Sequence, residues 1–195
     1  IYAKLPKDMS ETLALAVLDV AGAPAQTAKL VHPGDTVLII GAGGKSGLLS
    51  LYQAQKQAGI TGQVIALEYS KKACDRIRDL NLADVVIQGD ATDGVQVYEK
   101  VNEVTDGQLA DVVINNVNIP NTEMASIMST RDGGVIYFFS MATGFTKAAL
   151  GAEGIGKDVE MIIGNGYPTG HAAIALQTIR ESKKLKKLFN KLYTN

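Results

Sequence analysis

Tryptophan is absent from the 195 residues, and the only cysteine is Cys74. A lone thiol closes no internal disulfide and builds no thiolate-rich zinc cage. Histidine occurs only at His32 and His171, scattered without ligand spacing, so no metal site is expected. No apolar run approaches the ~20 residues needed to cross a bilayer; the longest are short stretches such as Val37–Ile40 and Val135–Phe139. Neither sign of charge dominates, since 19 basic residues stand against 20 acidic ones. That balance gives no global electrostatic reason for nucleic acid as a partner. A charged leader with a cleavage pattern is also missing, and the chain opens on Ile1, which suggests a processed chain or a segment of something longer. With 46% apolar and 20% charged residues, disorder is excluded. The expectation is a soluble, cytoplasmic globular domain in a reducing compartment, contacting neither membrane nor nucleic acid. The length fits one domain of about 150 residues or slightly more.

What is abundant is glycine, at 20 residues, set between Val/Ile runs and Ala/Leu/Lys stretches. Such punctuation suits an α/β fold with many strand-to-helix turns. Residues 10–31 predict a helix capped by Ser10, with Leu13, Ala16, Val17 and Val20 on one face. Gly22 and Pro24 interrupt it before a second piece, Ala25–Val31. His32-Pro33-Gly34-Asp35 is a turn, and Thr36–Ile40 has the continuous apolarity of a strand buried on both faces. Predicted helices and strands then alternate. Gly47–Ala58 leads to Gln63–Glu68, Lys71–Leu80 to Val85–Ile87, and Val95–Val104 to Ala110–Asn115. Thr122–Met128 leads to Gly134–Phe139 and Phe145–Leu150 to Val159–Ile163, before a closing helix from His171 to Leu192. The pattern predicts an α/β doubly wound parallel sheet of six strands, order 3-2-1-4-5-6, with helices on both faces: a Rossmann fold.

The chemistry-bearing stretch is Gly41-Ala42-Gly43-Gly44-Lys45-Ser46-Gly47, where a buried strand enters a glycine turn that opens a helix. Gly41 permits the tight turn, and Gly43 allows close approach of a pyrophosphate to the helix N-terminus. The third glycine is Gly47, one residue later than in the common G-x-G-x-x-G spacing. Gly44-Lys45-Ser46 resembles the end of a phosphate-binding P-loop, but that motif needs glycine at position 39, where Ile39 stands. Glu68 ends the second strand ~20 residues further on, where a carboxylate accepts both ribose hydroxyls of an adenosine. The acid favours NAD over NADP, although Ser70, Lys71 and Lys72 follow at once and could hold a 2′-phosphate.

The adenosine could belong to a dinucleotide or to S-adenosylmethionine. Gln88-Gly89-Asp90-Ala91-Thr92 looks like the adenine-contact turn of many class I methyltransferases. Against that alternative, Lys45 stands where their turn usually carries glycine, and no reversed C-terminal strand is evident.

Upstream, Ala21-Gly22-Ala23-Pro24-Ala25-Gln26-Thr27-Ala28 and then Val31-His32-Pro33-Gly34-Asp35-Thr36-Val37 lead into the glycine turn. Leu82–Ile87, Ala110–Ile114 and Asp132–Ile136 follow in order. These stretches resemble the cofactor-binding half of the medium-chain dehydrogenases/reductases, the zinc-type alcohol dehydrogenase superfamily. Within it, the longer turn and the Val20–Gln26 hinge look most like a member that oxidatively deaminates a diamino acid. The resemblance implies that Gly41, Gly43, Gly44, Lys45, Ser46 and Gly47 line the pyrophosphate. Glu68, with Tyr69 and Ser70 beside it, takes the adenosine ribose, and Asp90 and Ala91 flank the adenine. Asn115, Asn116 and Val117 after the fourth strand, and Ser140 and Met141 after the fifth, lie near the nicotinamide. It further implies one dinucleotide-binding domain over 1–195, with hinge and leading helix at 1–30 and a closing helix at 171–195. The catalytic domain is absent, so catalytic residues are unassigned and a small amino acid substrate would be met through that missing part. A homodimer is implied as well, paired through the edge strand Val159–Ile163.

The closing helix carries Arg180, Lys183, Lys184, Lys186, Lys187 and Lys191 against Glu181, with Leu185, Leu188, Phe189 and Leu192 on its other side. The expected arrangement is an apolar stripe docked on the domain with its lysines in water.

Overall fold

Each strand of this chain donates alternate residues to two separate cores, which is what continuous apolar strands with helices on both faces require. The computed structural model describes residues 4–194; the first three residues of the expected hinge region and the last residue of the closing helix lie outside them. Helices α1 (Glu11–Leu18) and α2 (Gly22–Leu30) precede β1 (Thr36–Ile40). There follow α3 (Lys45–Ala58), β2 (Gln63–Glu68), α4 (Lys71–Leu80), β3 (Val85–Gln88) and α5 (Gly94–Val104). Then come β4 (Ala110–Asn115), α6 (Glu123–Ser129), β5 (Thr130–Phe138), α7 (Phe145–Ile155), β6 (Val159–Ile163), α8 (His171–Glu181) and α9 (Lys183–Tyr193). The six strands form one sheet in the order β3-β2-β1-β4-β5-β6, and every neighbouring pair is parallel. The fold class and strand order are those expected.

On one face Val37, Ile39, Val64, Ala66, Ile114 and Tyr137 pack under α1, α2, α3, α8 and α9. On the other, Leu38, Ile40, Ile65, Leu67, Val113 and Phe138 pack with residues of α5, α6 and α7. Burying such a side chain contributes about 1.5–3 kcal/mol, and these residues are nearly all inaccessible to solvent.

Four local expectations need correction. The leading helix breaks at Asp19–Ala21, while Gly22 and Pro24 lie in the first turn of α2. Proline is tolerated there because a first-turn N–H has no helical partner. The closing helix is two helices, divided at Ser182, whose hydroxyl accepts the Leu185 N–H at 3.2 Å and starts α9 afresh. Helix α7 runs on past Leu150 to Ile155 and ends at Gly156, in the left-handed region at φ 66°. Strand β5 begins at Thr130 and ends at Phe138, because Thr130 pairs with Ala110 ahead of an irregularity in the register. The remaining boundaries agree within one or two residues, and α3 starts two residues before Gly47.

Helix α8 is fastened by polar contacts. Gln53 Nε2 donates to Thr178 Oγ1 at 2.7 Å in the buried seam of α3 and α8. Arg180 grips Asp8 through Nε at 2.7 Å and Nη2 at 2.9 Å, which holds the Asp8 carboxyl at about 2 against an ordinary 3.8. Leu185 and Phe189 are fully buried, so α9 docks by its apolar stripe as expected. No helix among the described residues is long and apolar enough to cross a membrane.

Candidate functional site

At the carboxyl ends of β1 and β4, where the chain crosses the sheet in opposite directions, the connections diverge and open a cleft. Its first half, about 610 Å³, is lined by residues that include Gly41, Gly43, Gly44, Lys45, Ser46, Glu68, Tyr69, Asp90, Ala91, Asn116 and Val117. Its second half, about 720 Å³, is bounded by Leu18–Gly22, Phe139, Ser140, Met141, Gly164–Tyr167 and His171. Ser46, Asn116 and Asn118 line both halves and mark the seam between them.

The glycine turn is built by close backbone approach. Gly41 has φ 74°, and a Cβ there would lie 2.8 Å from Val117 Cγ2. At Gly47 a Cβ would fall 2.2 Å from the Gly41 carbonyl oxygen, so the third glycine lets α3 sit against the turn. At Gly43 it would strike Ala73 Cβ at 2.6 Å and Glu68 Oε2 at 2.9 Å. Helix α3 has no side-chain N-cap, leaving its first-turn amides without the usual hydroxyl or carboxylate acceptor.

Glu68 reaches this turn. Its Oε2 accepts the Gly43 N–H at 2.8 Å and its Oε1 accepts the Ser70 N–H at 3.1 Å. Ser70 caps α4 by accepting from Ala73, so it supports Glu68 from behind and does not line the cleft. Arg76, which the sequence reading passed over, donates to the Gly43 carbonyl at 3.4 Å from α4. Asp90 accepts from the Thr92 N–H at 2.9 Å and the Thr92 hydroxyl at 2.7 Å, and these bonds lower its pKa. Beneath this half, the Cys74 thiol is fully buried and donates to the Glu68 carbonyl; burial raises its pKa.

The β4 end shows two adjacent asparagines in opposite roles. Asn115 is inaccessible; its Nδ2 donates to Thr122 Oγ1 at 3.0 Å and Ser126 Oγ at 2.9 Å, and its Oδ1 accepts the Val117 N–H at 3.0 Å. It therefore shapes the loop from below. Asn116 stands on the cleft wall, and both its amide atoms are buried with no hydrogen-bond partner among the described residues. A buried, unpaired amide costs about 1–3 kcal/mol unless something supplies its bonds.

Ser140 and Met141 fall in the second half, with Ser140 Oγ 3.3 Å from Asn118 Oδ1 and Met141 94% exposed at the mouth. Buried Glu123 holds this loop by accepting the Gly144 N–H at 2.6 Å. The Leu18–Gly22 and Gly164–Tyr167 walls were missed by sequence reasoning. They meet at Gly22 and Gly166, and beside them Gln26 Nε2 of α2 donates to the Asn165 carbonyl at 2.8 Å. The available signal was Gly164-Asn165-Gly166 directly after the last strand, a second glycine-bearing strand end. Lys45 lines the first half at the start of α3, and its ammonium pairs with Asp19 at 2.7 Å.

The sheet order, the glycine turn at the crossover and the acid ending β2 together define a Rossmann-type α/β domain. Over 193 residues, 99% of its length, the chain is 58% identical to L-erythro-3,5-diaminohexanoate dehydrogenase of Acetoanaerobium sticklandii. It is 53% identical over the same length to the enzyme of that name from Fusobacterium nucleatum. The chain spans about half, 56%, of each of these curated relatives. Alcohol dehydrogenase TADH from Thermus sp. ATN1 superposes with a TM-score of 0.66 at 24% identity, over 94% of this chain and 52% of that one. Mycobacterial Rv1454c, solved in complex with NADPH, gives 0.68 at 22% identity over 98% and 57%. These structural likenesses carry the fold. No protein-family model matches the chain. The resemblance read from the hinge and the glycine turn is borne out by these relatives.

Proposed function

We propose that this chain binds a nicotinamide dinucleotide along the cleft as the cofactor domain of an oxidoreductase. Three observations support the fit. Gly41, Gly43 and Gly47 each exclude a Cβ, so the turn packs its bare backbone against Val117, Glu68 and its own chain at the cleft. The Glu68 carboxylate stands at its edge beside Gly43, and the orphaned amide of Asn116 marks the seam. The last carries most weight, because it asks for a donor and an acceptor that the described residues do not supply.

In this reading the uncapped start of α3 faces the pyrophosphate, Glu68 accepts from the adenosine ribose, and Asp90–Thr92 borders the adenine. Asn116 meets the nicotinamide half through its amide. When bound, the cofactor supplies the hydride chemistry; the residues of this chain supply position and electrostatics. The carboxylate of Glu68 repels a 2′-phosphate, which favours NAD, with NADP as the alternative served by Lys71 and Lys72.

By its likeness to the diaminohexanoate dehydrogenases, the protein takes part in reversible oxidative deamination of L-erythro-3,5-diaminohexanoate to 5-amino-3-oxohexanoate, releasing ammonia in lysine fermentation. Residues 1–195 form the single cofactor domain, and the substrate-handling groups lie in the further length that the relatives possess. A homodimer pairs through β6, which has one strand neighbour in the sheet and leaves Met161 and Ile163 only half-buried. A cytoplasmic location suits its one buried thiol.

Calorimetric titration of this chain with NAD, NADP and S-adenosylmethionine tests the reading. The expected result is saturable NAD binding, tighter than NADP, with no heat from the methionine cofactor. Binding of S-adenosylmethionine would overturn it; the all-parallel sheet, without a reversed strand among the described residues, argues against that outcome.

A further inference from the structure

Lys45 opens α3 inside the glycine turn, and its side chain joins three elements that are distant in sequence. Its Nζ lies 2.7 Å from Asp19 Oδ2, at the end of α1, and 5.5 Å from the ring centroid of Tyr193, at the end of α9. Both contacts are of kinds that hold an ammonium: a charge-assisted hydrogen bond and a cation–π approach. Lys45 lines the first half of the cleft and Asp19 the second, so the pair spans the seam beside Ser46. The link matters because the Leu18–Gly22 wall contains the short break, Asp19–Ala21, between two helices. It has weak turn bonds, such as Val20 N–H to Val17 O at 3.4 Å and Ala21 N–H to Leu18 O at 3.2 Å.

We propose that Lys45 is a positioning residue, not a phosphate ligand. It fixes the Leu18–Gly22 wall of the second half against the glycine turn of the first. A molecule seated along the turn is thereby held in register with the half where reaction occurs. The functional consequence rests on the dinucleotide reading above, whereas the contact itself does not.

The test uses this chain carrying Asp19→Asn, Lys45→Met, both together, Lys45→Arg, and the exchanged pair Asp19→Lys with Lys45→Asp. Amide hydrogen exchange over residues 16–22 is measured in each, and NAD affinity is measured at two salt concentrations. Each single neutral variant should speed exchange over 16–22, the double should add nothing further, and Lys45→Arg and the exchanged pair should restore protection. NAD affinity should stay within about threefold of the unaltered chain, and its salt dependence should not change. Lys45→Met weakening NAD by about tenfold or more with a flatter salt dependence, while Asp19→Asn tightens it, would make Lys45 a phosphate ligand and overturn the proposal. Unchanged exchange in every variant would overturn it too. Failure of the unaltered chain to bind any dinucleotide would remove the proposed function, and the exchange comparison would still decide the role of Lys45.

Discussion

The Glu68 carboxylate accepts the backbone N–H of Gly43 at 2.8 Å, joining the acid at the end of β2 to the middle of the glycine turn. One side chain thus shapes the loop from the position proposed for the ribose. Replacing Glu68 with Ser should weaken NAD and relatively favour NADP, because the repulsion of a 2′-phosphate goes. It should also release Gly43, so affinity for both cofactors falls by more than the loss of one ribose contact. Parallel titrations check this; unchanged NAD affinity would remove Glu68 from the ribose.

Asn115 and Asn116 should respond oppositely to alanine. Asn115→Ala strips partners from Thr122, Ser126 and the Val117 N–H. It should cost about 2 kcal/mol, or roughly 4–8 °C in Tm. Asn116→Ala removes an amide that makes no hydrogen bond among the described residues. It should leave Tm unchanged or slightly raised while lowering dinucleotide affinity about tenfold, the worth of one lost polar contact. A thermal melt and a titration on each variant separate the two roles, and a large Tm loss in Asn116→Ala would contradict the assignment.

Gly47→Ala places a methyl 2.2 Å from the Gly41 carbonyl oxygen, a backbone atom that no rotamer change can move aside. The expected cost is about 3 kcal/mol with loss of cofactor binding. Gly44→Ala is the control, since its nearest contact would be an ordinary 3.6 Å. Denaturant unfolding of both variants should show only the first displaced.

The Asp8–Arg180 pair predicts an acid limb in stability. The Asp8 carboxyl titrates near 2 in the folded chain against an ordinary 3.8. Its contribution is therefore complete above the ordinary value and disappears as pH falls through the folded one. Asp8→Asn should flatten the stability profile between about pH 4 and pH 2 and leave it parallel to the parent at higher pH. The side chains are exposed, so the effect should be small and should shrink in salt.

Strands were the most legible part of the fold, because a strand buried on both faces has little choice of composition: Thr36–Ile40, Gln63–Glu68 and Ala110–Asn115 stand where their apolar runs are. Helix ends were less so. Ser182 reads as one polar residue in a helical pattern, and only its extended backbone and the bond from Leu185 reveal a cap. The first half of the cleft was legible because its glycines and acid are spaced along consecutive elements. The second half was not, since its walls, Leu18–Gly22 and Gly164–Tyr167, are far apart in sequence and meet only through tertiary packing. Lys45 shows the same limit: residue type suggested a phosphate, and only the placement of Asp19 and Tyr193 shows where its charge is held.

Where α2 begins, the chain passes the loop after β6 so closely that a Cβ on Gly22 would lie 2.5 Å from both the Cα and the carbonyl oxygen of Gly166. The reverse is not true, for a Cβ on Gly166 would meet nothing nearer than Phe139 Cε2 at 3.8 Å and the Gly22 Cα at 3.9 Å. The joint is one-sided. Sequence drift is open to one partner and closed to the other, and no compensating change at Gly166 can make room for a side chain at Gly22, because the atoms in the way are main chain. The seam between the hinge and the last loop cannot be retuned a methyl at a time.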